Sequence, residues 1–86
     1  MARENKYEVI GIKRIDYTRK DGTEVHSAEY YLSAVSPDAN VNGIQCEVHY
    51  LKDDYMVSVP VVGDIVCKEY REWNNKPYVC ALRVIR

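Results

Sequence analysis

The chain has no phenylalanine, one tryptophan and eight tyrosines, so nearly every aromatic face carries a polar tip. Tyrosine suits half-exposed sheet surfaces, where the ring packs and the hydroxyl stays wet. Glycine and proline are scarce, four and three in 86 residues, which excludes collagen-like or low-complexity chains. Gly11, Gly22, Gly43 and Gly63 stand far apart, so there is no glycine-rich phosphate loop. No apolar run approaches the ~20 residues that span a bilayer, and no apolar stretch follows Met1 to Lys6 as a signal peptide requires. Three cysteines, Cys46, Cys67 and Cys80, form no close pair, which fits neither a disulfide framework nor a zinc knuckle. Cys46 and Cys80 are expected as buried small hydrophobes in a reducing compartment, the cytoplasm. Charge of neither sign dominates: 12 Lys and Arg stand against 13 Asp and Glu, with a pI near 6.1. That excludes a chain-wide attraction to nucleic acid or anionic membranes, though not a local basic face.

Eighty-six residues make one small domain, 1–86, with residues 1–5 polar and expected to fray. A chain this short buries only about 60–65% of its unfolded surface, enough for one compact core. Catalysis requires clustered groups with matched roles. The candidates are His26, His49, Asp53, Asp54 and the cysteines, yet no HExxH, CxxC or second histidine at ligand spacing appears. A pairing of His26 with a cysteine stays open, because partners meet in space. The apolar neighbours of Cys46 and Cys80 make them poor thiolates. The expectation is a protein that is not an enzyme, with no cofactor and no metal.

Strand signals run through the whole chain. Tyr7 to Thr18 is rich in Ile, Val and Tyr, but its apolar positions change parity around Gly11. A glycine there marks a bulge or bend, as the long first strand of a small barrel needs. Asp21-Gly22 supplies a strong hairpin turn. Glu24 to Val35 alternates, with His26, Ala28, Tyr30, Leu32 and Ala34 as the expected core face. Ile44 to Lys52 alternates most cleanly, and its expected core face is Ile44, Cys46, Val48 and Tyr50. Tyr55 to Val62 carries Pro60 and reads as an edge strand or an irregular connection. Ile65 to Trp73 and Tyr78 to Ile85 close the series around a turn at Asn74 to Pro77. No window shows a convincing 3.6-residue period. The expected fold is all-β: a small five-stranded OB-type Greek-key barrel with long hairpins and little or no helix.

Two hairpin tips mix aromatics with cations, as surfaces that hold single-stranded nucleic acid do. The first carries Tyr17, Arg19 and Lys20, with Tyr31 on the following strand. The second runs from Lys68 to Tyr78 and carries Tyr70, Arg71, Trp73 and Lys76. In an OB barrel these two loops flank the usual binding face. The plainer account is equally concrete. Tyr70, Trp73 and Tyr78 suit a cross-strand cluster contributing about 0.2–1 kcal/mol per pair, and Glu69 and Glu72 stand ready to neutralise Lys68 and Arg71.

Thr18-Arg19 followed by Gly22, Ser27 with Leu32, and Leu82-Arg83-Val84 give the chain a further aspect. On these residues it resembles the small single-stranded DNA-binding, helix-destabilising proteins of filamentous phages. The resemblance implies an OB-type barrel that forms a homodimer and coats single strands without sequence preference. It also implies DNA contacts at Arg19, Trp73 and Arg83, and dimerisation through the segment around Tyr55 to Val62. The slightly acidic composition and the short first turn depart from that pattern.

The resulting expectation is a cytoplasmic protein of phage or mobile-element type that binds single-stranded DNA, or RNA, and has no membrane partner. Its phosphate contacts are expected at Arg14, Arg19, Lys20, Arg71, Lys76 and Arg83, and its stacking rings at Tyr17, Tyr31, Tyr70 and Trp73. The competing expectation is a protein–protein module of OB or SH3-like form that uses the same aromatic hairpin.

Overall fold

The computed structural model describes residues 6–85. The expected fraying of residues 1–5 lies outside them. The described chain forms five strands: β1 (Tyr7–Thr18), β2 (Glu24–Ala34), β3 (Cys46–Lys52), β4 (Ile65–Trp73) and β5 (Lys76–Val84). One 3₁₀ turn, Asp53–Tyr55, follows β3. All pairings are antiparallel and build one sheet in the order β3-β2-β1-β4-β5. Three strands meander, and the fourth returns beside the first, which is the Greek-key arrangement. The two ends of the sheet, β3 and β5, curl into contact. The result is a small, partly open barrel of OB type.

Local chemistry accounts for the bends. The β1–β2 register shifts between Val9 and Gly11, so Ile10 is the extra residue of a bulge. A Cβ on Gly11 would meet the Tyr31 ring at 3.4 Å, an ordinary contact, so the ring packs directly over the glycine. Below the bulge, β1 turns toward β4, pairing Tyr7 with Val66 and Glu8 with Ile65. Val9 extends this seam by donating its N–H to the Asp64 carbonyl and accepting from Gly63 N–H, at 2.9 and 2.8 Å. At the other end of the molecule Asn74 and Asn75, with φ of 52° and 62°, join β4 to β5. Two consecutive left-handed residues make the two-residue hairpin turn whose twist matches the strands.

The core is Tyr7, Val9, Ala28, Tyr30, Leu32, Leu51, Val66 and Leu82. The expected inner face of β2 holds from Ala28 to Leu32, while His26 at its end is exposed. The expected core face of β3 is reversed. Ile44 before the strand is 76% exposed and Val48 54%, Cys46 and Tyr50 are also exposed, and Leu51 is buried. Register is the reason. Tyr30 pairs with His49, Leu32 with Glu47 and Ala28 with Leu51, and directly opposed residues share a face. The large buried side chains of β2 therefore drag Glu47 and His49 inward with Leu51. Cys80 is half-buried, its thiol donating to the Glu69 carbonyl. The segment after Tyr55 forms no strand before β4, so it is the irregular connection that Pro60 required.

Candidate nucleic-acid interface

The β4–β5 hairpin sorts its side chains by alternation. Arg71 pairs with Tyr78 and Trp73 with Lys76, so these four share one face. Tyr70 and Glu72 fall on the opposite face, Glu72 opposite Pro77. The acid that stood beside Arg71 in the sequence is thus turned away from it. Trp73 is 72% exposed at the tip.

Two adjoining cavities run along this face. The outer one, about 550 Å³, is lined by Trp73, Asn74, Lys76, Pro77 and Tyr78. The inner one, about 270 Å³, brings Arg71, Tyr78, Val79 and Cys80 of the hairpin against Tyr50, Leu51 and Lys52 of β3 and Tyr55 of the 3₁₀ turn. Tyr78 lines both cavities of this hairpin groove. The Arg71 guanidinium lies 5.9 Å from the centre of the Tyr55 ring, within cation–π range. Three cations and four large aromatic rings line the groove, and none of the acidic residues does. Among the described residues Lys52, Arg71 and Lys76 form no ion pair.

Other cations are committed elsewhere. Arg14 donates to both carboxylate oxygens of Asp53 at 3.2 and 2.9 Å, and to Asp16 at 2.9 Å. Its pKa rises, chiefly through the Asp53 hydrogen bond. Lys68, on the interior side of β4, meets Glu47 at 2.8 Å and sits 4.5 Å over the Tyr7 ring. Burial acts to raise the Glu47 pKa, but the Lys68 hydrogen bond and that of His49 outweigh it, lowering the carboxyl to about 2. Buried charges persist when they are paired in this way.

Of the residues expected to contact nucleic acid, the groove gathers Arg71, Trp73 and Lys76. Arg14 is held by its two aspartates instead. Tyr17 lies in a separate hollow with Asp16, Glu24 and His26, beside the turn that carries Arg19 and Lys20. Tyr31 donates its hydroxyl to Glu29 and packs on Gly11. Tyr70 lies on the other hairpin face, 5.9 Å from Lys68 Nζ. Arg83 donates to the Cys67 sulfur and lines a third cavity together with Glu69 and Val57. The two hairpin tips therefore do not share one groove. Tyr50, Lys52 and Tyr55 also line the groove without having been expected there, and Tyr78, the end of the second expected tip, lines both cavities.

Of the groups weighed for catalysis, His26 lies 3.4 Å from Asp16 and 3.6 Å from Glu24, and His49 lies 2.9 Å from Glu47. Among the described residues no three His, Cys, Asp or Glu side chains come together as a metal site. No described helix is long and apolar enough to cross a membrane. Comparison of the chain with protein-family models, with curated proteins and with solved structures finds no match.

Proposed function

We infer that this is a non-enzymatic binding protein for single-stranded nucleic acid, DNA in the first instance, which it holds in the groove between the β4–β5 hairpin and the end of β3. One observation carries the reading. In a chain with more acidic than basic residues, the aromatic groove is lined by Lys52, Arg71 and Lys76 and by no carboxylate. Rings for bases beside cations for phosphates are the two components of a sequence-tolerant single-strand site. Trp73, Tyr78, Tyr55 and Tyr50 offer stacking faces, each base contributing about 1–3 kcal/mol. The OB-type frame supports the reading, since such barrels bind single strands around β2, β3 and the loop between β4 and β5. Cooperative coating as a phage-type homodimer belongs to the same proposal and rests on the sequence resemblance.

The test is a titration of oligo-dT at low salt, followed by Trp73 fluorescence, with salt then added. Quenching that saturates and reverses with salt is the expected result, because backbone contacts release counterions. A flat titration at low salt rejects the reading.

A further inference from the structure

We propose that the 3₁₀ turn after β3 is a built-on wall of the groove, and that Arg14 and Ser27 are positioning residues which fix its two tyrosines as a clamp for one unstacked base. The inference rests on the single-strand reading and goes beyond it by assigning roles to residues that do not touch the ligand.

Tyr55 is the last residue of the turn, and Asp53 is its first. Asp53 receives both hydrogen bonds that Arg14 sends across from β1, so the turn is fastened to the barrel two residues from the ring it presents. Such a two-pronged guanidinium–carboxylate contact fixes direction as well as distance. Asp16 holds the same Arg14 nitrogen from the other side, which keeps the guanidinium in place when the groove is empty. Tyr50 is fixed by different means. Its hydroxyl donates to Ser27 Oγ at 2.9 Å, and Ser27 donates in turn to the Ile15 carbonyl. Ser27 is fully buried, so this anchor is shielded from water. Both residues nonetheless stay about half exposed, 54% for Tyr55 and 47% for Tyr50, and both line the inner cavity. Arg71 lies over the Tyr55 ring, and Tyr78 lines the same cavity. Rings that are already held lose little freedom when a base enters, which is how preorganisation raises affinity.

This gives Arg14 a role distinct from a phosphate contact, and the two separate by experiment. Labelled oligo-dT is titrated into the full chain and into Arg14→Gln, Asp53→Asn, Tyr55→Ala and the Asp53→Asn/Tyr55→Ala double variant, by anisotropy at several salt concentrations. A positioning role predicts a loss of roughly 5- to 20-fold for each single variant, within the range of one stacked base. It predicts a double variant no weaker than Tyr55→Ala alone, and a salt slope in Arg14→Gln equal to that of the unaltered protein. The exchanged pair Arg14→Asp/Asp53→Arg should recover binding to within about threefold, as pairs acting as a unit do. A salt slope that falls by about 0.7 in Arg14→Gln overturns the proposal, because it marks a lost phosphate contact. So do losses that multiply in the double variant, a measurement that needs no Arg14 substitution should that variant fail to fold. Failure of the unaltered protein to bind at low salt defeats the single-strand reading itself. Normal binding by Asp53→Asn and Tyr55→Ala, with weakened binding by Trp73→Ala, defeats the clamp alone.

Discussion

The acid-paired cations of the barrel and the outward face of the β4–β5 hairpin treat positive charge in opposite ways. Half-buried Lys68 has Glu47, and exposed Arg14 has Asp53 and Asp16. Along the outward face of the hairpin, Arg71 and Lys76 have aromatic neighbours and no acid lining the groove with them. The difference separates two uses of one residue type. A cation paired with a carboxylate serves the fold and leaves little charge for a ligand. A surface cation without a carboxylate costs nothing to keep hydrated and remains available to a phosphate.

That contrast can be broken most directly at its two extremes. Trp73→Ala should weaken oligo-dT binding roughly 5- to 150-fold by anisotropy, the range of one stacked base, and leave the urea unfolding midpoint almost unchanged. Glu47→Gln should do the reverse. It removes the Glu47 carboxylate from Lys68 and should cost on the order of 2 kcal/mol in urea unfolding, with binding close to normal.

The same pair gives a pH signature. The Glu47 carboxyl is held at about 2 in the folded chain against an ordinary 4.5. A depressed folded pKa means that the unfolded chain takes up the proton first as pH falls. The stabilisation is therefore complete above about pH 4.5 and is lost progressively toward pH 2. Urea midpoints measured between pH 6 and pH 2.5 should fall more steeply for the unaltered protein than for Glu47→Gln. Equal slopes would show that the pair contributes nothing.

Smaller effects test the groove's boundary. Lys76→Ala should lower the slope of log affinity against log salt by about 0.7, the value for one phosphate on a single strand. The Arg19→Ala/Lys20→Ala variant should change affinity less than about threefold, because its turn adjoins the hollow lined by Asp16 and Glu24. A larger effect there would extend the site to the first hairpin.

Strand positions were legible because alternation and turn residues are local signals. Tyr7–Thr18 and Ile65–Trp73 match their expected bounds, and Gly11 sits at the expected bulge. The facing of β3 was not legible. Its apolar row was the obvious core candidate, but the core side is decided by the register with Tyr30 and Leu32 on another strand. The ion pair of Arg14 was not legible for a similar reason: its partner Asp53 lies 39 residues away. Tyr55 gave no signal because it stands in a short turn without periodicity. Of the two acids that cast doubt on the hairpin's charge, Glu72 takes the face opposite Arg71, whereas Glu69 keeps Arg71's parity and lines the cavity of Arg83.

The seam between β1 and β4, two residue pairs and the hydrogen bonds of Val9, has a consequence for the order of assembly. The β1–β2, β2–β3 and β4–β5 pairings join neighbours in the chain and close short loops. The seam instead brings Val9 to Gly63 across more than half of the sequence, and its loop-closure entropy must be met before its few contacts form. The local pairings therefore carry the smaller closure cost, and the groove has one wall on each side of the seam. The groove joins Tyr50 and Tyr55 on one side of the seam to Arg71 and Tyr78 on the other, so under the proposed function only the fully assembled chain would be competent to hold a single strand.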